Sequence, residues 1–498
     1  MISSTTTHRS IPLPTGLPVA VQGCVVLLLF GLWFSDSLLT GSVQTMLYAM
    51  CVILTAHFVW SVMSWYFVTG KLLDFYQLFL VAASFFNGGQ FMLEVFDLND
   101  KGLLESKFND ELTLQALFIV TTSMAMLHLG ALLARAGYQA PRPEASVPHD
   151  GAEQLAANLR LVGIVLLAIS IPFALIVFRE VLIVVMSGGY AAIFQQSSQA
   201  SFSVIPKVLS AFVIPGAMFL LAGAEHSRRL ALFGAGVVVW FAGMQFVVGE
   251  RHNGALALLV LAWMWHRRIQ KLNPVLLLGS GLVMVGIVFP MVRAIRDSSG
   301  NERASSEQWI EGFLSVENPA VSAIHEMGGS VYTLAHTMTI VPLTREYDLG
   351  SSYFYALMTL FPNLFWDLHP TIAAGIPGEW ISWEIEPWAA ARGIGLGYSF
   401  IAEAYLNFGG VGATFFLFCF GWVYARFVLW SDQTAHPARM AMAASMAFFF
   451  IFVARAEMAV IVRGVVWYAL VPYLLTTQLL PFWQTWKSGR LNWEGARA

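Results

Sequence analysis

The chain has 498 residues, of which 57% are hydrophobic and 11% charged, and its mean hydropathy is +0.66. Charged residues make up roughly a quarter of a soluble domain, so this composition excludes a soluble protein and predicts an integral membrane protein. The formal net charge is −3, and we expect no nucleic-acid partner. All three cysteines lie in apolar stretches, so no disulfide framework is implied.

Stretches that are apolar and long enough to cross about 30 Å of hydrocarbon occur twelve times along the chain. In chain order they are residues 17–34, 43–68, 72–95, 113–134, 159–186, 204–224, 230–248, 253–266, 274–292, 398–428, 438–454 and 464–483. We therefore predict an all-α polytopic integral membrane protein with about twelve transmembrane helices. The eighth stretch is short and follows a tight corner, so a re-entrant segment is the alternative there.

The distribution of Lys and Arg predicts the orientation of these helices, because basic residues near span ends stay in the cytoplasm. If the N-terminus is cytoplasmic, the inner side receives 15 of the 27 basic residues and 7 of the 30 acidic residues. We therefore expect both termini in the cytoplasm. The chain then divides into a membrane region of about nine spans at residues 1–292, a large folded external loop at 293–397, and a membrane region of three spans with a cytoplasmic tail at 398–498.

Several arginines remain on the external side, against this rule, and they lie at the ends of predicted spans. These are Arg251 between spans seven and eight, Arg293 and Arg296 after span nine, Arg392 at the end of the loop, and Arg455 and Arg463 between the last two spans. A guanidinium group keeps its charge and binds phosphate oxygens in a planar fork, so these residues predict a diphosphate site on the external face. The alternative for each arginine is an ion pair with a neighbour or contact with lipid headgroups.

A carboxylate lies near the start of the tenth predicted span. In a helix, Ser399, Glu403 and Asn407 share one face because they are four residues apart. A carboxylate in the first turns of a span is costly in lipid and usually faces a wet cavity, so Glu403 is predicted to be a general base or a substrate anchor. The alternative is a structural hydrogen-bond cluster between helices, with the glycines at 409–412 allowing close approach.

The external loop is rich in tryptophan, tyrosine and apolar runs, and we predict that it folds against the membrane face. Its aromatic residues suit either sugar stacking or an interfacial belt. His325, His336 and His369 are candidate proton carriers, although a histidine in such a loop is more often a structural residue. The sequence contains no Asp-x-Asp pair, no His-Glu-x-x-His and no Gly-x-x-x-x-Gly-Lys, so we expect neither a metal nor another cofactor.

Four pieces of the sequence together carry a resemblance to a known family. They are residues 395–409 with the sequence GLGYSFIAEAYLNFG, the Gly-Glu-Arg corner at 249–251, the loop piece at 353–366, and the late pair Arg455 and Arg463. From about Gly249 to the end, the chain resembles bacterial Wzy-type O-antigen or exopolysaccharide polymerases. The earlier spans match that family only in number and spacing. One departure is His252, where the resemblance leads us to expect a glycine.

The resemblance implies a glycosyltransferase of GT-C-like architecture in the bacterial inner membrane. Such an enzyme joins oligosaccharide repeat units carried on undecaprenyl diphosphate at the periplasmic face, with a flippase and a chain-length co-polymerase as partners. Glu403 or a loop histidine such as His336 would then take the proton of the acceptor hydroxyl. The residues expected to bind the substrate are Arg251, Arg293, Arg296, Arg392, Arg455, Arg463, Tyr405 and Asn407.

Two alternative functions stay open at this point. The ligase that moves finished glycan to lipid A core would also use arginines and a large external loop. A twelve-span transporter or flippase commonly has two related halves and charges at mid-membrane, whereas here no halves are evident and the charges lie at the outer ends. The sequence therefore favours an enzyme. Sugar identity, linkage and oligomeric state stay open.

Overall fold

The computed structural model describes residues 14–35, 42–139, 149–190, 192–193, 204–297, 314, 318–361, 363, 366–393, 395–432 and 436–486. Over these ranges the chain forms helices joined by turns and contains no strand, which confirms the predicted all-α class. The side chain of Arg296, one of the predicted site residues, lies outside the described residues.

Before the long loop, the described chain forms helices that run back and forth. They are α1 Gly16–Trp33, α2 Val43–Thr69, α3 Phe75–Val95, α4 Asp110–Ala136, α5 His149–Gly188, α6 Val204–Ser210, α7 Val213–Gly223, α8 Arg228–Val248, α9 Arg251–Arg268, α10 Pro274–Val283 and α11 Phe289–Asp297. A 3₁₀ turn at Leu103–Ser106 lies between α3 and α4, and a π-helical turn at Met284–Val288 joins α10 to α11. Side-chain caps define several helix starts, for example Asp74, whose carboxylate accepts the Tyr76 N–H at 2.9 Å at the start of α3.

The loop folds into short helices, and the chain then returns to helices that form parts of membrane spans. The loop helices are α12 Pro319–Met327, α13 Val331–Ile340, α14 Ser351–Met358, α15 Pro370–Ala374, α16 Pro377–Ile385 and α17 Pro387–Ala390. They are followed by α18 Phe400–Ser431, α19 Pro437–Phe450, α20 Met458–Val465 and α21 Val471–Leu474. Proline begins many of these helices, because its fixed φ and missing N–H suit the first helical position.

Eleven helices of the described chain are long and apolar enough to cross a membrane, and they match eleven of the twelve predicted stretches. The eighth predicted stretch corresponds to α9, which has 18 residues but carries charges at both ends. Arg251 at its start pairs with Glu326 of α12, and Arg267 near its end pairs with Asp432 after α18. At 1.5 Å per residue, α9 is about 27 Å long. It therefore connects the same two ends of the bundle as the other spans.

We name the end of the bundle that carries residues 318–393 the loop end. At the opposite end, Lys71 Nζ donates to Asp432 at 2.6 Å, and Arg267 pairs with the same carboxylate. These three residues come from three corners that the charge pattern predicts to be cytoplasmic. The fold therefore brings together corners that the topology prediction puts on one side, and the direction in which the bundle faces stays a prediction.

The most extensive helix pair is α4 with α18, and glycine makes this crossing close. A Cβ on Gly130 of α4 would overlap the carbonyl oxygen of Phe418, and one on Gly421 of α18 would overlap that of Leu127. Small residues let backbones approach closely, which is how helices associate in lipid without a hydrophobic driving force. The crossing therefore fixes α18, the helix that carries Glu403.

The Gly421→Ala variant is expected to destabilise the fold, because its methyl group would overlap a backbone carbonyl that cannot move aside. Overpacking of a tight core typically costs about 1–3 kcal/mol. The matched control is Gly236→Ala in α8, where a Cβ meets nothing within 4 Å. Alanine there should gain up to about 1 kcal/mol of helix propensity. Thermal unfolding in detergent checks both variants, and equal melting temperatures would contradict the tight crossing.

The loop is attached to α18 at a break in that helix. Gly409 has φ 68 and ψ −176 inside α18, a conformation in which glycine alone is unstrained. Just before the break, the carbonyl oxygens of Leu406 and Asn407 accept hydrogen bonds from the backbone N–H groups of Asp348 and Leu349, at 3.0 and 3.1 Å. The segment between α13 and α14 is therefore seated directly on a membrane-spanning helix.

Candidate functional site

Glu403 lies in the first turn of α18, and its carboxylate is fully enclosed. Oε1 accepts a hydrogen bond from Ser352 Oγ at 2.9 Å, and Oε2 accepts one from the backbone N–H of Met458 at 2.9 Å. The side chain is buried, with 1% of the residue exposed. Glu403 therefore joins three parts of the chain, namely α14 of the loop, α18 and the start of α20.

Asn407 extends this hydrogen-bond group by one helical turn. Its Nδ2 donates to Ser352 Oγ and to the carbonyl oxygen of Glu403, both at 2.8 Å, and its Oδ1 accepts the Gly350 N–H at 2.8 Å. Ser399, predicted to share the same face, instead caps α18 and donates to Asn87 of α3. Glu403 and Asn407 thus act together on the loop, while Ser399 links α18 to α3.

A second buried carboxylate, Glu457, lies beside Glu403. It occupies the N-cap of α20 and packs against Gly378 at the start of α16, where a Cβ would lie 2.6 Å from Glu457 Oε2. Burial raises the pKa of Glu457 to about 7, and the charge of Glu379 adds to this rise. A group with such a pKa can both take and release a proton at neutral pH.

Arg251 and Arg293 meet at one carboxylate of the loop, Glu326 in α12. Arg251 pairs with Glu326 Oε1, and Arg293 Nη1 lies 3.6 Å from Glu326 Oε2. Arg293 Nη1 also donates to Ser322 Oγ at 3.1 Å. The ion pair that the sequence left open for Arg251 is therefore formed, and its partner is Glu326 of the loop.

Arg455 ends the 3₁₀ segment that follows α19, and this segment packs against the start of α9. Its guanidinium group packs against Gly397, which has φ +76 and where a Cβ would lie 2.9 Å from Arg455 Nε. His252, the residue after Arg251, stacks on Phe452 of the same 3₁₀ segment with 4.8 Å between the ring centres. The absence of a side chain at 397 thus makes room for the guanidinium group. We name Arg251 and Arg293, which share Glu326, together with Arg455 of the adjoining segment, the arginine group.

The other predicted arginines have different surroundings. Arg463 Nε donates to the carbonyl oxygen of Thr359 at 3.0 Å, and its side chain lines a cavity of about 330 Å³ between the loop and α20. Arg392 is exposed and lies 5.0 Å from the ring centre of Trp388. The contacts described for Arg463 and Arg392 are thus with Thr359 and Trp388 of the loop, and not with Glu326.

Tyr405 is predicted to bind substrate, and in the structure it contacts the loop, where its ring centre lies 6.2 Å from that of Tyr347. Its hydroxyl donates to the carbonyl oxygen of Val341 at 3.2 Å, and the side chain is buried. Tyr405 therefore secures the end of α13 against α18, as Asn407 secures Gly350.

His336, the predicted alternative base, lies in an aromatic environment. Its ring is 4.7 Å from that of Phe108 and 4.6 Å from that of Tyr332, measured between centres. Burial lowers the pKa of His336 to about 4, and the charge of Lys107 contributes. The imidazole is therefore neutral at pH 7, and it faces the start of α4.

The remaining loop histidines have structural surroundings. His369 caps α15 by accepting the Thr371 N–H on Nδ1 at 3.2 Å, and its Nε2 lies 3.1 Å from the carbonyl oxygen of Phe361. Both ring nitrogens of His369 therefore form hydrogen bonds with the loop backbone, and we assign it a structural role. Burial lowers the pKa of His325, so this ring is also neutral at pH 7.

Three residues of the site were not predicted from the sequence as site residues: Ser352, Glu326 and Glu457. Ser352 and Glu326 lie in loop helices whose place against the spans depends on the complete fold. Glu457 offered a signal, because it lies two residues after Arg455 in a tight corner between two apolar stretches. A carboxylate in such a corner has little water around it and is a candidate for an altered pKa.

Comparison with known proteins bears on the whole chain. A model of the family described as O-antigen polysaccharide polymerase Wzy matches residues 23–485, which include the arginine group and both buried carboxylates. No curated protein and no solved structure matches the chain. Because this match covers nearly the full length, the chain belongs to the O-antigen polysaccharide polymerase Wzy family.

Proposed function

We propose that this chain joins lipid-linked oligosaccharide repeat units into O-antigen or exopolysaccharide, and that the joining takes place at the loop end. Membership of the family supports repeat-unit polymerisation. The observation that carries the proposal is the corner at residues 455–458, where Arg455 and Glu457 are two residues apart and the Met458 N–H binds Glu403. One short turn brings positive charge for a diphosphate next to carboxylates that can take a proton.

The arginine group is suited to the diphosphate of the donor. When the donor sugar is transferred, its bond to the diphosphate breaks and negative charge grows on the leaving group. Arginine keeps its charge and donates in a fixed fork, so it stabilises this charge without proton transfer. Glu326 holds Arg251 and Arg293 in place before substrate arrives. Such preorganised charge is the kind that lowers a reaction barrier most.

The acceptor hydroxyl must lose its proton as the new glycosidic bond forms, and we assign the base to Glu457. Both oxygens of Glu403 already accept hydrogen bonds, from Ser352 and from the Met458 N–H. The pKa of Glu457, raised to about 7 by burial, matches what a general base needs near neutral pH. Glu403 then acts as a positioning residue that holds the corner against the loop.

The proposal extends to the location and partners of the protein. Both substrates would be carried on undecaprenyl diphosphate in the bacterial inner membrane, and the loop end would face the periplasm. Basic residues at the opposite end, among them Lys71 and Arg267, support cytoplasmic termini. A flippase would supply the units, and a chain-length co-polymerase would regulate the product.

The direct test is polymerisation by the purified protein in lipid vesicles. Lipid-linked repeat units are supplied with and without EDTA, and the products are separated by length on a gel. We expect a ladder of products longer than one unit in both samples. A correctly folded protein that yields no ladder would refute the proposed function, and a ladder that EDTA abolishes would refute its metal-independent mechanism.

A strain that lacks the gene separates the polymerase from the ligase. Loss of a polymerase leaves surface glycan with a single repeat unit, whereas loss of a ligase leaves full-length polymer that is not attached to lipid A core. We expect single-unit glycan in the deletion strain and long chains after the unaltered gene is restored. Unattached polymer in that strain would favour the ligase.

A further inference from the structure

A cavity of about 520 Å³ lies between the loop ends of α2, α3 and α4. Its volume falls within the range of small-molecule sites, about 300–1,000 Å³. None of its lining residues belongs to the arginine group or to the buried carboxylates described above. Among its lining residues are Gln44, Tyr48, Glu94, Ser106, Phe108 and Asp110.

Helix α13 stands between this cavity and the candidate site. On one face, Tyr332 and His336 contact Phe108 of the cavity wall, with ring centres 5.4 and 4.7 Å away. On the next face, Thr337 hydrogen-bonds the Tyr398 hydroxyl at 3.0 Å, and Thr333 accepts the backbone N–H that precedes α18. The diameter of a helix with its side chains is about 10–12 Å. The wall of the cavity and the start of α18 therefore border neighbouring faces of the same helix.

The lining favours an uncharged, hydroxyl-rich ligand over a diphosphate. Glu94 and Asp110 face the cavity from neighbouring helices and would repel an anion. Carboxylates and the amide of Gln44 instead pair well with hydroxyl groups, which both donate and accept hydrogen bonds. Tyr48 is 53% exposed and offers an aromatic surface against which the apolar face of a sugar ring can pack.

One wall of the cavity is held in a fixed shape. Leu104, Glu105 and Ser106 are consecutive residues with positive φ of 50, 54 and 56°, which is strained for residues other than glycine. Leu104 is fully buried, and its N–H donates to Gln90 Oε1 of α3 at 3.2 Å. The buried side chain and this hydrogen bond hold the turn, so that Ser106 and Phe108 meet the cavity in a set position.

We propose that this cavity binds a segment of glycan. Meanwhile the arginine group and Glu457 act on the end of that glycan or of the second glycan to which it is joined. The inference rests on the proposed function for the identity of the ligand. A glycan segment held at this cavity, which borders the same helix as the start of α18, would stay on the protein between successive additions. The cavity would then favour long products without taking part in the joining step.

The test begins with binding of free glycan to the purified full-length protein in detergent. The probe is the oligosaccharide released by mild acid from the lipid-linked units of the same strain. Tyr48→Ala should bind it about tenfold more weakly, as expected for the loss of one aromatic packing partner. Glu94→Gln, which keeps the shape of the wall, should also bind more weakly. The matched control is Tyr66→Ala, which removes a 38% exposed tyrosine at the opposite end of α2 and should leave binding unchanged.

The second readout is the polymerisation assay. In Tyr48→Ala the first joining of two units should keep its rate, while the product distribution shifts to shorter chains. Equal binding by Tyr48→Ala, Glu94→Gln and Tyr66→Ala overturns the inference, and so does a first joining step that slows in parallel with the shortening. Binding is measured without any joining. Tyr48-dependent binding by a protein that does not polymerise would therefore keep the glycan site and refute only the proposed function.

Discussion

Replacing Glu457 by Gln is expected to slow polymerisation by about 10²–10⁴-fold, the range that a general base contributes. Gln keeps the shape of the side chain but cannot accept a proton. In the unaltered protein the rate should rise as the pH passes through about 7, because burial raises the pKa of Glu457 to about 7 and only the ionised carboxylate is a base. The variant should lose this rise. Initial joining rates measured on both sides of neutral pH check both expectations.

Glu403→Gln is the matched control for this experiment. The amide can still meet Ser352, but it has only one oxygen for the two hydrogen bonds that the carboxylate accepts. We expect lower thermal stability and a lower rate, with the rise of rate through neutral pH retained. If Glu403→Gln abolishes that rise and Glu457→Gln leaves it, the base is Glu403, one of the two candidates that the sequence predicted.

Arg455→Ala is expected to lower kcat/KM by about 10- to 100-fold, since a hydrogen bond to a charged group contributes about 1.5–3 kcal/mol and 1.36 kcal/mol is tenfold. Arg455 is a sharper choice than Arg251 or Arg293, because those two also hold Glu326 of the loop. Arg455→Lys keeps the charge but loses the planar fork, so it should recover part of the activity. Rates measured against the concentration of lipid-linked units give kcat/KM for each variant.

Arg392→Ala provides the control for charge removal at the same end of the protein. Arg392 is exposed and packs on Trp388, and removing it should leave kcat/KM unchanged at equal thermal stability. Equal losses in Arg455→Ala and Arg392→Ala would mean that overall charge, and not the arginine group, attracts the substrate. A loss of kcat/KM in Arg455→Ala but not in Arg392→Ala supports a specific diphosphate site at the arginine group.

The spans could be predicted from the sequence because crossing lipid requires a long apolar helix. The least certain of these predictions concerned α9, the eighth stretch, whose apolar part is short because Arg251, Arg267 and Arg268 occupy its ends. These charged residues lower the mean hydropathy at both ends of α9, so the apolar stretch read from the sequence is shorter than the helix. In the fold, Glu326 and Asp432 pair with the first two, so the charged ends of α9 are accommodated at the two ends of the bundle.

The candidate site could be predicted only in part. The sequence marks Arg251, Arg293 and Arg455 as unusual, because basic residues on the external side need a reason. It does not show that the first two share Glu326, since Arg251 and Glu326 are 75 residues apart in the chain. Such a pairing depends on how the loop helices pack against the spans, and one sequence carries no direct record of that packing.

The main-chain hydrogen bonds between the loop and α18 allow the loop sequence to change during evolution. Two hydrogen bonds of this attachment come from the main-chain N–H groups of Asp348 and Leu349, and every residue except proline offers the same donor. The side chains of Asp348 and Leu349 can therefore be exchanged during evolution without loss of these two hydrogen bonds, whereas Asn407 and Tyr405 hold the loop through their own side chains. Two further requirements are the glycines at 350 and 409, which have φ of 94 and 68°. Relatives that handle different repeat units are thus expected to vary most on the loop surface and least at these two glycines.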